Sequence, residues 1–125
     1  MIKTIVIDDD LDTAETFANI LMMKDIKVLD IALNGQKGFE SYKEFHPDVV
    51  LMDVMMPESD GFDGLEKIRK YDPDAKVIIV TADFRSGTED RLIDQHASAI
   101  IYKPYEIEQV IKTIHDVYEG TFELS

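Results

Sequence analysis

Four consecutive apolar residues, Val49-Val50-Leu51-Met52, stop abruptly at a carboxylate, Asp53. A run this short, with no polar alternation, suits a strand buried on both faces, which is what a parallel sheet requires. An ionised group at the rim of such a sheet costs desolvation free energy unless something nearby compensates it. In open parallel sheets the carboxyl ends of the strands are also where ligands and chemistry collect. Pro57, Ser59, Asp60 and Gly61 then turn the chain before the next helical pattern. An aspartate that merely begins a turn is the ordinary use of this residue. What the other strands bring to the same rim decides between the two.

The remaining chain alternates strand and helix. Thr4 to Ile7 is a β-rich run ending in Asp8-Asp9-Asp10, and Leu11, Ala14, Phe17, Ala18, Leu21 and Met22 recur at helical spacing up to Met23. Ile26 to Ala32 reads as a strand broken by Asn34-Gly35; Phe39, Tyr42 and Phe45 stripe a helix that His46-Pro47 terminates. After the central strand, Phe62, Leu65 and Ile68 face inward from a helix, and Tyr71-Asp72-Pro73-Asp74 is a loop. Val77 to Val80 ends in Thr81, and Ala99 to Tyr102 ends in Lys103-Pro104. Ile107, Val110, Ile111, Ile114, Val117 and Tyr118 give the last helix an apolar face. Only Phe84 to His96 is a poor helix by pattern, with Leu92 and Ile93 inward, and it is predicted to be the least firmly packed segment. Five strands and five helices in alternation predict an α/β fold with helices on both faces of one sheet, joined by right-handed crossovers.

Composition narrows the function. The 125 residues predict a single domain over 1–125, and 45% apolar with 31% charged residues predicts a globular fold. A formal charge of −13 argues against direct nucleic-acid binding, which needs clustered Lys and Arg, and favours cationic partners or bound metal ions. With no cysteine, disulfides, thiolate chemistry and cysteine-ligated zinc are excluded. The Ile5-Val6-Ile7 run is too short for a signal peptide or membrane span, so no membrane association and a cytoplasmic location are expected.

The strand ends carry the chemistry. The first delivers Asp8 and Asp9 to the rim, the third Asp53, the fourth Thr81 and the fifth Lys103. Carboxylates this crowded either take up protons or bind a hard cation. Mg²⁺ suits them, because it accepts one or two carboxylates, keeps waters and recruits a phosphate oxygen. A hydroxyl and an ammonium opposite would cradle the remaining phosphoryl oxygens, a constellation for phosphoryl transfer to an aspartate.

With Asp8-Asp9 after the first strand, Asp53-x-x-Met56-Pro57-x-x-Asp60-Gly61, Thr81-Ala82 and Lys103-Pro104 all in register with strand ends, the chain resembles the receiver domains of two-component response regulators along essentially its whole length. The resemblance implies a flavodoxin-like (βα)5 fold with strand order 2-1-3-4-5. It implies that Asp53 accepts a phosphoryl group from a sensor histidine kinase or phosphotransfer protein, making the chain a phosphoacceptor rather than an enzyme. Asp9, Asp53 and the Met55 backbone carbonyl would ligate Mg²⁺, with Asp8 orienting a coordinating water. Thr81 and Lys103 would contact the phosphoryl oxygens, and the Lys103–Pro104 bond would be cis. A downstream protein target would read the fourth helix, fifth strand and fifth helix, with the chain a monomer or a phosphorylation-dependent dimer. One departure concerns the switch: the position three before the lysine, often aromatic in the family, is Ile100. Tyr102 lies on the same strand face and is the candidate substitute, acting with Thr81.

Simpler readings hold elsewhere. Asp10 and Asp12 are helix N-terminal charges, Asp60 a turn residue, and the six methionines core or surface residues needing no cofactor. His46, His96 and His115 lack metal-ligand spacing, and none is expected to relay phosphate. The rival function is a small haloacid-dehalogenase-like phosphatase with Asp8 as nucleophile, which leaves Asp53 unexplained. A binding-only pseudo-receiver would have no need of the complete acid set, and no Gly-x-x-x-x-Gly-Lys pattern supports a nucleotide switch.

Overall fold

The computed structural model describes residues 1–124. Ten elements alternate: β1 (Lys3–Ile7), α1 (Leu11–Met23), β2 (Lys27–Ala32), α2 (Gly35–Phe45), β3 (Val49–Met52), α3 (Gly61–Tyr71), β4 (Val77–Thr81), α4 (Ser86–Asp94), β5 (Ala99–Tyr102) and α5 (Ile107–Glu119). The five strands form one sheet in the order β2-β1-β3-β4-β5, every pair parallel. The apolar run Val49–Met52 is therefore the centre of the sheet, and all four of its residues are buried.

Strand period two divides those side chains between two cores. Ile5, Ile7, Val50, Met52, Val77 and Ile79 meet residues from α2, α3 and α4 on one face. Val6, Val49, Leu51, Ile78, Val80, Ala99 and Ile101 meet Ala14, Phe17 and Leu21 of α1 and Val110, Ile114 and Val117 of α5 on the other. Each fully covered Leu or Ile contributes roughly 1.5–3 kcal/mol relative to exposure, so the two layers hold the sheet between them.

Caps set where the helices begin and end. The carboxylate of Asp10 accepts from the Thr13 N–H, the Asn34 side-chain oxygen from the Lys37 N–H, and the Asp60 carboxylate from the Asp63 N–H. Asp60, predicted as a turn residue, thus also fixes the start of α3. His46 closes α2 in the left-handed conformation at φ 46°, and Gly120 closes α5 at φ 78°.

Several side chains differ from the periodic reading. Leu11, Met22, Phe45 and Tyr118, counted in apolar stripes, are exposed, and each is the first, last or next-to-last residue of its helix. Ile93, predicted inward with Leu92, is only partly covered, and α4 buries just Thr88 and Leu92. No helix among the described residues is long and apolar enough to cross a membrane.

Candidate functional site

The parallel arrangement brings the carboxyl ends of β1, β3, β4 and β5 to one rim. Beyond β1, Asp8 is buried, and its Oδ1 accepts the Asp10 N–H at 3.0 Å, which aims the carboxylate back over the sheet. Beyond β3, the Asp53 N–H donates to the Ile7 carbonyl at 2.9 Å, extending the ladder one residue and placing Asp53 beside the end of β1. Its Oδ1 accepts the Met55 N–H at 3.2 Å. Behind it Gly61 packs so closely that a Cβ there would lie 2.4 Å from the Asp53 carbonyl oxygen, so this turn excludes any side chain.

Lys103 joins the two acids. Its backbone N–H donates to the Thr81 carbonyl at 2.8 Å, which holds β5 in register with β4, and the Lys103–Pro104 bond is cis as the resemblance implied. The Lys103 ammonium lies 3.4 Å from Asp53 Oδ2 and 3.8 Å from Asp8 Oδ2. Burial raises the Asp8 carboxyl above the ordinary carboxylate range, opposed by the Asp10 N–H and Lys103 and reinforced by the charges of Asp53 and Asp9. Three of the predicted residues, Asp8, Asp53 and Lys103, are thereby in direct ionic contact.

The others are not joined to that centre by side-chain bonds. Asp9 and Met55 are exposed beside it. Thr81 is fully buried, and its hydroxyl accepts the Asp83 N–H at 3.1 Å; among the described residues no hydrogen bond joins that hydroxyl to Asp53. Ile100 packs against the core that faces α2, α3 and α4. On the same strand face, the Tyr102 ring meets Phe84 edge-on at 6.2 Å, and burial together with the Glu89 carboxylate raises its phenol pKa.

The donor set fits a hard divalent cation. Asp8, Asp9, Asp53 and a backbone carbonyl offer only oxygen, and two of the carboxylates converge on a single ammonium. Among the described residues no three His, Cys, Asp or Glu side chains gather closely enough to hold an ion by themselves. An ion that keeps waters and accepts a phosphate oxygen suits such an open set, and Mg²⁺ does both.

Periodicity alone did not reveal two further groups. A small cavity under the acids is walled by Phe17 and Tyr105, whose rings lie 5.6 Å apart. Burial raises the Tyr105 phenol pKa, and the nearby Lys103 opposes that rise. On the β4 side, Asp83 accepts from Arg85 Nη2 at 2.6 Å and from the Thr88 hydroxyl at 2.8 Å. The local signal, an aspartate two residues after Thr81 and two before an arginine, is common in loops.

A sequence model of the response regulator receiver domain matches residues 4–115. The transcriptional regulatory protein LnrK of Bacillus subtilis is 34% identical over 121 residues, which cover 96% of this chain and 55% of LnrK, about half of that relative's length. The chemotaxis protein CheY of Listeria monocytogenes is 33% identical over 114 residues, covering 91% of this chain and 96% of CheY. Among solved structures, a chain of the CheX-CheY-BeF3-Mg²⁺ complex from Borrelia burgdorferi superposes with a TM-score of 0.87 at 24% identity, covering 94% of this chain and 89% of that one, a likeness of fold.

Proposed function

This chain belongs to the response regulator receiver domain family, and from that premise we propose that residues 1–125 form one receiver domain that is phosphorylated on Asp53 and works as a signalling switch. The observation that carries the reading is the Asp53 carboxylate itself. It stands at the end of the fully buried central strand, partly open to solvent, with the Lys103 ammonium 3.4 Å away.

The phosphodonor is a phosphohistidine on a sensor histidine kinase or phosphotransfer protein. An Asp53 carboxylate oxygen attacks phosphorus, an O–P bond forms, and the P–N bond breaks with its electron pair leaving on the imidazole. Lys103 neutralises charge on the phosphoryl oxygens, and Thr81 donates its hydroxyl to them once it turns toward the rim. Asp9, Asp53 and the Met55 carbonyl would hold Mg²⁺, with Asp8 orienting a water on it. When bound, that ion supplies further positive charge for the phosphoryl oxygens. The chain is thus a phosphoacceptor and not a turnover enzyme.

Output passes through the face made by α4, β5 and α5 to a downstream protein target. Ile100 has no polar tip to signal burial or exposure, and Tyr102 takes that part, its ring and hydroxyl exchanging partners as the β4–α4 loop moves. Phosphorylation shifts the population between the two arrangements only in so far as the phosphoryl group interacts differently with each. The acidic charge favours protein over nucleic-acid partners, and the chain works in the cytoplasm as a monomer or a phosphorylation-dependent dimer.

Intact-mass spectrometry tests the acceptor. Incubation with acetyl phosphate and Mg²⁺ should add one acid-labile phosphoryl group. Asp53→Asn should abolish it, while Asp8→Asn leaves an acceptor in place. Label that persists in the Asp53 variant and maps to Asp8 would establish the phosphatase chemistry instead.

A further inference from the structure

Asp83 is the most heavily bonded carboxylate of the site's surroundings, and nothing in the phosphorylation chemistry uses it. Its Oδ1 accepts the Arg85 N–H at 3.1 Å and Arg85 Nε at 2.8 Å. Its Oδ2 accepts Arg85 Nη2 at 2.6 Å and the Thr88 hydroxyl at 2.8 Å. These hydrogen bonds, those from Arg85 foremost, hold its carboxyl well below the ordinary range, so it stays ionised.

The network has two ends. At one, Thr88 is a buried residue in the first turns of α4, a helix whose N-cap residue, Arg85, makes no side-chain cap bond. The Asp83 carboxylate ties that helix from two residues further back, through the Thr88 hydroxyl rather than a backbone N–H of α4. At the other end, the Asp83 backbone N–H is bonded to the hydroxyl of Thr81. A hydroxyl held this way has its oxygen fixed in one side-chain rotamer. Turning it toward Asp53 breaks that bond, and the bond persists while Asp83 is tethered to α4.

We infer that Asp83 is a positioning residue that latches Thr81 in its resting rotamer, with Arg85 and Thr88 as the keepers of the latch. The inference deepens the proposed function, since it matters for signalling only if Thr81 serves the phosphoryl group. Release then couples two events: α4 loses its tether to Asp83 when the Thr81 hydroxyl becomes free to turn. The same four residues thus connect the rim chemistry to the helix on the output face.

The latch makes a prediction that charge alone does not. Thr88→Val removes one keeper without altering any charge, and valine has the shape of threonine. In the unphosphorylated protein, three-bond couplings at the Thr81 methyl report its rotamer populations. Thr88→Val and Asp83→Ala should both move Thr81 from one dominant rotamer to a mixture and quicken amide exchange in residues 86–89. Thr88→Ser, which restores the hydroxyl, should return both readouts to the parent values. Uptake of phosphoryl from acetyl phosphate should rise about two- to fivefold in Thr88→Val, the lower part of the range for the net worth of one lost hydrogen bond. Faster exchange at α4 with unchanged Thr81 couplings would overturn the inference, reducing Asp83 to an anchor for α4. Failure of Asp53 to take label would instead overturn the proposed function, and the rotamer measurement, made without phosphodonor, would still decide the latch.

Discussion

Helices α3 and α4 lie on the same side of the sheet, flank the same rim, and are attached in opposite ways. α3 starts from a side-chain cap at Asp60 and buries Phe62, Leu65 and Ile68. It also closes on α2 through glycine: a Cβ at Gly64 would lie 2.9 Å from the Gly35 Cα and from Met52 Sδ. α4 has no such cap, buries only Thr88 and Leu92, and its one glycine, Gly87, faces open space. Its remaining anchors are polar. Asp83 ties its first turns, Arg91 lies 3.9 Å over the Phe62 ring, and Arg69 Nη2 donates to the carbonyl of His96 at 2.7 Å just past its end. Apolar packing is non-directional but has no alternative partner in water, whereas exposed hydrogen bonds exchange readily for water. The element that carries the turn behind Asp53 is held mainly by apolar packing, and its neighbour leans more on polar contacts.

The sharpest way to break this comparison is to remove one core leucine from each helix. Leu65→Ala should cost about 3–5 kcal/mol by urea unfolding, since a well-packed site relaxes little around the cavity. Leu92→Ala should fall at or below the low end of the range, about 2–3 kcal/mol, because a loosely held helix can settle into the space. Equal losses would show that α4 is as firmly packed as α3.

Next in size is Gly61→Ala. The new methyl meets the Asp53 carbonyl oxygen and the Val54 Cα, both backbone atoms with little freedom to yield. A loss of about 1–3 kcal/mol is expected from this overpacking. It should be accompanied by weaker phosphoryl uptake, because the turn carrying Asp53 must shift. An unaltered urea midpoint would mean that the turn is looser than its contacts imply.

A smaller effect separates the rim charges from the core. The Asp8 pKa is raised in the folded state by burial, so the fold favours its neutral form. Its contribution is therefore fully present below the ordinary value of 3.8 and is lost as pH rises through the raised folded value. Asp8→Asn should then be more stable than the parent at pH 7, by less than the Gly61 loss. The gain should shrink on acidification and vanish below the unfolded carboxylate range. Mg²⁺ should stabilise the parent more than the variant, because a bound cation offsets charges that otherwise repel. A gain independent of pH would locate the effect outside this ionisation.

The smallest expected change has the opposite sign from the glycine in α3. Gly87→Ala meets nothing within 4 Å and lies inside a helix, so it should stabilise the protein by about 0.5 kcal/mol. Thermal unfolding in the presence and absence of phosphodonor would show whether a stiffer α4 also resists release. A destabilised variant would mean that the start of α4 is not helical in solution.

Much of this was legible in one dimension because the governing constraint is local. Residues 49–52 had to be a doubly buried strand, since four apolar residues bounded by Asp48 and Asp53 leave no polar face to turn outward. Asp53, Thr81 and Lys103 are legible as rim residues for the same reason, each being the first polar residue after an apolar run. Strand order was not readable from period, because every buried parallel strand looks alike; it came from resemblance to a family. The weakness of α4 was also visible, as a lack of apolar spacing. Where the stripes misled, at Leu11, Met22, Phe45 and Tyr118, the helix was correct but the residue sits at or beside its end and is left exposed. Contacts between separate loops lay beyond sequence altogether. The hold of Arg69 on the carbonyl of His96 depends on how two chain segments approach once the sheet has formed; that of Asp83 on Arg85 and Thr88 is local, but an aspartate close to an arginine and a threonine is too common a pattern to single out. A residue's own spacing carries its period and polarity. It does not carry the identity of the group that satisfies its polar atoms, and at Thr81 that identity is what separates a strand-end hydroxyl from a latched one.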